Sequence, residues 1–127
     1  MDKVSISTNF APQAIGPYSQ AVRTGNLLFL SGQIPVDPKT GEMVSGSVEE
    51  QAKQVLENIK GLLKSQNLSM SNVIKTTVFL TDISNFAKVN EIYATYFEKP
   101  YPARSCVEVS ALPKNALLEI EAIAVTD

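Results

Sequence analysis

Four consecutive apolar residues, Leu27-Leu28-Phe29-Leu30, leave the strand they form with no polar side, so that strand has to be covered on both faces. The chain has little to cover it with. Only two segments carry the three- and four-residue spacing of an amphipathic helix: Val48, Ala52, Val55, Leu56, Ile59, Leu62 and Leu63 in the first, and Phe86, Val89, Ile92, Tyr93, Tyr96 and Phe97 in the second. The other periodic segments, Val4 to Ile6, Gln20 to Arg23, Leu27 to Ser31, Asn72 to Thr81, Pro102 to Val109 and Leu117 to Val125, read as strands. The order is therefore β-β-β-α-β-α-β-β, an α+β arrangement in which two helices cover one face of a wide sheet. Val73, Phe79, Ile123 and Val125 lie opposite their strands' other apolar set. A helix-free face of this kind predicts a homo-oligomer that buries it, with clefts at the subunit boundaries.

Turns and caps punctuate this order. Pro12, Gly16 and Pro17 keep the loop after the first strand irregular, and Thr24-Gly25-Asn26 closes a hairpin. Asp37 to Gly41 marks a further turn. Ser47 and Glu50 form a capping box for a helix reaching about Gln66, and Ser84 caps a second helix that runs up to a stop at Pro100. No repeat or long linker interrupts the chain, which is expected to be one domain over residues 1–127.

Composition removes several classes of chemistry. With 127 residues and no histidine, there is no Ser-His-Asp triad, no Cys-His pair and no imidazole metal site. One cysteine makes neither an internal disulfide nor a thiolate zinc cluster. The net charge of -2 lacks the positive field of a non-specific nucleic-acid binder. No apolar run reaches a membrane span of about 20 residues, and the start M-D-K-V-S-I-S resembles no targeting peptide. The expected location is cytoplasmic, with neither membrane nor nucleic acid as partner.

Arginine, glutamate, tyrosine, backbone groups and one thiol remain. In P-A-R-S-C-V-E-V, Pro102 to Val109, the residues Arg104, Cys106 and Glu108 share one face. A guanidinium just after a Pro-Tyr-Pro turn has the fork geometry for a carboxylate, although a structural ion pair is the commoner use of a strand arginine. Cys106 reads as a small buried hydrophobe, with no base at hand to make its thiolate. Glu119 and Glu121 fall on one face that continues through Ile123 and Val125; if that face is an interface, their carboxylates lose solvent and gain proton affinity. Ser31 and Gly32 end a strand where backbone can approach a ligand, Tyr18 sits in a stiff loop, and Asn90 lies away from the second helix's apolar stripe.

I-G-P-Y-S-Q-A at Ile15 to Ala21, F-L-S-G-Q-I at Phe29 to Ile34, V-N-E-I-Y at Val89 to Tyr93, P-A-R-S-C-V-E-V, and E-I-E-A-I-A together resemble the RidA (YjgF) family in order and over nearly the whole chain. The resemblance implies a chorismate-mutase-like fold: a six-stranded, mostly antiparallel sheet with two helices on one face, assembled as a homotrimer with sites between subunits. It also implies hydrolysis of reactive 2-imino acids such as 2-iminopropanoate and 2-iminobutanoate to 2-keto acids and ammonia, with no cofactor and no metal. Position by position, Arg104 would clamp the substrate carboxylate, Cys106 would face the imine, and Glu119 would orient water. Tyr18 would close the cleft from the adjacent subunit, with Ser31, Gly32 and Asn90 near the ligand. Two other readings compete: a non-catalytic trimer that binds a small acid to regulate a partner, and an RNA-cleaving inhibitor of translation, which the acidic charge and missing histidine disfavour.

Overall fold

The computed structural model describes residues 2–127. Strands β1 (Val4–Ile6), β2 (Ala21–Thr24), β3 (Leu27–Gln33), β4 (Val73–Leu80), β5 (Ala103–Glu108) and β6 (Leu118–Val125) build one sheet in the order β1-β2-β3-β6-β4-β5. Every pairing is antiparallel except β4 with β5. That pair is parallel because β5 returns through a helix, as a crossover requires. Helices α1 (Val48–Lys64) and α2 (Phe86–Ala94) lie over one face, giving the expected α+β architecture.

Helix α1 starts where the Ser47 hydroxyl accepts the Glu50 N–H at 3.2 Å. Its stripe Val55, Leu56, Ile59, Leu62 and Leu63 is wholly excluded from water, each side chain stabilising the fold by roughly 1.5 to 3 kcal/mol. Gly61 is where the N-terminal loop crosses this helix. A Cβ there would stand 2.9 Å from the carbonyl carbon of Phe10 and collide with its oxygen, so only glycine admits the loop backbone. Two buried amides bind α1 to the connection that precedes it. Asn58 donates to the carbonyls of Ile34 (3.3 Å) and Val36 (2.9 Å), and Gln51 donates to Val44 (3.2 Å) while accepting the Leu117 N–H (2.9 Å).

The second helix is shorter than its periodicity predicts. Asp82, not Ser84, provides the cap: its carboxylate accepts the Ser84 N–H at 2.9 Å and hydroxyl at 2.6 Å, starting a 3-10 turn at Ile83–Asn85 that leads into α2. These bonds hold the Asp82 carboxyl below its ordinary proton affinity, the hydroxyl bond first. At the other end the Thr95 hydroxyl donates to the Ile92 carbonyl at 2.6 Å, and α2 stops at Ala94. Phe97 is still buried, but from beyond the helix.

Two bulges set which side chains face which way. Between Val73 and Lys75 the register against β6 slips by one, placing Val73 opposite Ala124 in the core. The expectation that Val73 lies on the helix-free face is therefore corrected: the extra residue inverts the alternation at that point. Lys75, Thr77 and Phe79 then pair with Ile123, Glu121 and Glu119 on the helix-free face. The second bulge falls between Leu30 and Gln33, at Ser31-Gly32. The helix-free face remains partly open and apolar, with Phe29 at 41% and Val107 at 44% exposure. Among the described residues no helix is long and apolar enough to cross a membrane.

Candidate active site

The residues singled out by sequence form two groups on opposite faces of the sheet. The first gathers at the β3 bulge, where Tyr18, Ser31, Gly32 and Glu119 line a cavity of about 710 Å³ with Ile34, Val36, Lys114 and Glu121. Gly32 is the point of closest approach. A Cβ placed there would stand 2.8 Å from Cδ of Glu119 and on top of its Oε2, so the carboxylate lies directly over the glycine backbone. Burial pushes the Glu119 carboxyl above the ordinary carboxylate range, and the charge of Glu121, two residues along the same face, pushes it further. Such a group takes up and releases a proton closer to neutrality than an exposed glutamate.

The walls of this cavity are held by hydrogen bonds that composition does not advertise. Gln20 is 3% exposed; its carbonyl accepts the Thr8 N–H at 2.7 Å, and its amide donates to the carbonyls of Thr8 (3.0 Å), Ala11 (3.2 Å) and Pro12 (2.7 Å). The loop that carries Tyr18 is thereby anchored at its near end. Ser31 turns its hydroxyl back to the carbonyl of Ser19 at 2.6 Å, so its side chain fastens the loop. Tyr18 itself is 53% exposed. On the far side Lys114 and Asn115 both hold positive φ, at 56° and 57°.

The second group lies on the helix side of edge strand β5. Arg104 is half-buried, opposite Thr76 of β4. Its guanidinium carbon is 4.8 Å from the ring centre of Tyr93 and 5.4 Å from that of Phe86, and Nη1 donates to Oδ1 of Asn90 at 2.7 Å. Phe86, Asn90 and Tyr93 follow at spacings of four and three, which is one face of α2. Asn90, off the apolar stripe as its spacing predicts, turns its amide oxygen to Arg104. Tyr93 is braced in turn by a 2.7 Å hydrogen bond between its hydroxyl and that of Thr76. Burial raises the proton affinity of the Tyr93 hydroxyl, against smaller lowering effects of the Thr76 bond and of Arg104.

Cys106 stands two residues from Arg104 on the same face, half-buried and packed against the core. Burial pushes its thiol up more than Arg104 pulls it down, which favours the protonated thiol over the thiolate. Glu108 completes the row by accepting the Ile83 N–H at 2.9 Å, tying β5 to the start of α2. Sequence reading missed Phe86, Tyr93 and Thr76 as the setting of Arg104, and Gln20 as the anchor of the cavity loop. The i, i+4, i+7 spacing around Asn90 was the available signal for the first; for Gln20 there was none.

Along β4, Arg104 sits at the level of Thr76 and Glu119 at the level of Phe79, on opposite faces. Within one chain the sheet stands between the two side chains.

Residues 8–126 match the family described as Endoribonuclease L-PSP. The chain is 58% identical over 122 residues to a RutC family protein of Pyrococcus horikoshii, covering 96% of this chain and 97% of that one. It is 52% identical over 120 residues to the human 2-iminobutanoate/2-iminopropanoate deaminase, covering 94% and 88%. The crystal structure of Escherichia coli TdcF with bound serine superposes with a TM-score of 0.90 at 50% identity, over 96% of this chain and 98% of that one.

Proposed function

The chain belongs to the RidA (YjgF) family, and from that membership and the geometry above we propose that it hydrolyses the C=N bond of reactive 2-imino acids, among them 2-iminopropanoate and 2-iminobutanoate, to 2-keto acids and ammonia. The observation that carries this reading is Arg104. The one hydrogen bond of its guanidinium among the described residues goes to an amide, and two aromatic rings lie within 5.4 Å of the guanidinium carbon, which leaves donors of the fork for a carboxylate. The serine held by the TdcF structure is likewise a small α-amino acid.

The chemistry needs orientation and a proton relay. Water adds to the carbon of a protonated imine, and its proton passes to the Glu119 carboxylate. The carbinolamine so formed takes that proton back on nitrogen. The C–N bond then breaks, the Glu119 carboxylate takes the hydroxyl proton as the carbonyl forms, and the departing ammonia carries that proton away as ammonium. A carboxylate with raised proton affinity suits both transfers, because it holds the proton between them better than an exposed glutamate would. Cys106 acts here as a neutral wall beside the clamp.

Because Arg104 and Glu119 lie on opposite faces, a complete site draws them from different chains. A cyclic trimer, in which the helix-free face of one subunit is covered by its neighbour, meets both requirements and brings Tyr18, Ser31 and Gly32 of one chain to Arg104 and Asn90 of the next. The exposed Phe29 and Val107 support burial of that face.

The test generates 2-iminopropanoate or 2-iminobutanoate in place and follows keto-acid release. Wild type accelerates release, whereas Arg104→Ala and Arg104→Lys do not, the lysine variant failing because a point charge lacks the fork. Undiminished turnover by Arg104→Ala overturns the assignment. Co-expressing Arg104→Ala with Glu119→Gln recovers about a quarter of wild-type activity if each site takes one residue from each neighbour; no recovery in mixed trimers rejects the shared site.

A further inference from the structure

Phe86 opens helix α2 and is 37% exposed, outside the buried core. Exposed aromatic rings at helix starts usually have no task. This one faces the Arg104 guanidinium at 5.4 Å from its centre, while Tyr93 flanks the same guanidinium and Asn90 takes Nη1. The ring's place is fixed from two sides. Asp82 caps the turn just before it, and Glu108 accepts the Ile83 N–H at 2.9 Å. Glu108 and Arg104 share a face of β5, so the strand that carries the cation also pins the turn that presents the ring.

We infer that Phe86 is a positioning residue, holding the free edge of Arg104 in the plane in which it meets a ligand carboxylate. The inference rests on the imino-acid reading of the site. An arginine side chain has four rotatable bonds, and one that is not braced must be ordered by the ligand itself. Tyr93 cannot be removed cleanly, since its ring is 6% exposed and its hydroxyl is bonded to Thr76. Phe86 can. Replacing it by leucine keeps an apolar side chain on the surface and removes the ring face that attracts the cation.

The experiment compares wild type, Phe86→Leu and Phe86→Trp. Pyruvate binding is measured by titration calorimetry, imine hydrolysis as kcat and KM, and stability as Tm. Leucine is expected to weaken pyruvate binding and raise KM about three- to ten-fold, with kcat within about two-fold of wild type and Tm barely moved. Tryptophan, the better cation-binding ring, is expected to restore affinity. If leucine binds pyruvate as tightly as wild type, Phe86 has no positioning role. If leucine and tryptophan both lose affinity together with Tm, its role is structural and the inference fails. A wild type that hydrolyses imines while Phe86→Leu is unchanged defeats this inference alone; a wild type that neither binds pyruvate nor turns over imines defeats the reading beneath it.

Discussion

The contact between Gly32 and Glu119 separates catalysis from stability in a single methyl group. In Gly32→Ala the new Cβ would lie 2.8 Å from Glu119 Cδ, while carbon atoms in contact rest about 3.5 to 4 Å apart. The carboxylate must therefore retreat by about 1 Å. It is the end of a flexible side chain, so the retreat is cheap for the fold, and the backbone at Gly32 lies outside the positive-φ region where alanine is strained. Replacing a glycine without strain even stabilises by about 0.4 to 1 kcal/mol through the unfolded chain. Catalysis is less forgiving, because a misplacement of about 1 Å at the reacting centre costs on the order of 100-fold. Gly32→Ala is thus expected to keep or slightly raise Tm in a thermal melt and to lower kcat for imine hydrolysis by about two orders of magnitude. A variant with wild-type kcat would show that the Glu119 position does not matter to the reaction.

Four further outcomes follow from the electrostatics and hydrogen bonds of the two groups. Glu119 has a raised proton affinity in the fold, so its ionisation opposes folding: its stabilising share is full below the ordinary glutamate range and is lost as pH rises through the elevated folded value. Glu119→Gln should flatten that fall in a urea-melt pH series, and Glu121→Gln, which removes a neighbouring charge, should shift the ascending limb of kcat/KM to lower pH. Gln20→Ala strands the polar groups of the Thr8 to Pro12 loop, and is expected to cost about 2 to 4 kcal/mol in urea unfolding; a loss under 1 kcal/mol would mean that the loop is held elsewhere. Cys106 should react with iodoacetamide more slowly at pH 7 than a free thiol, because burial raises its proton affinity; rapid alkylation would contradict the neutral thiol.

Helix and strand identities were legible because they depend on local periodicity. The stripe from Val48 to Leu63 could only be one face of a helix, and the apolar run Leu27 to Leu30 reads as a strand, which it is in β3. The alternation of Arg104, Cys106 and Glu108, and of Glu119 and Glu121, likewise follows from the two-residue period of a strand. Absence was equally informative, since a chain without histidine has few ways to move a proton. The caps and the end of α2 were harder to read, because whether Asp82 or Ser84 starts the turn depends on hydrogen bonds of nearly equal local merit.

What tertiary structure decided was phase and side. One extra residue between Val73 and Lys75 moves Val73 into the core, and another at Ser31-Gly32 brings backbone under the Glu119 carboxylate. Bulges are set by pairing with another strand, and no single strand's pattern records them. The placing of Arg104 against Phe86, Asn90 and Tyr93 depends on where α2 docks after the crossover, and Gln20 becomes an anchor only once the Thr8 to Pro12 loop folds back over it. Local periodicity determined what each segment is. Long-range pairing decided which faces those segments show each other, and put the clamp on one side of the sheet and the carboxylate on the other.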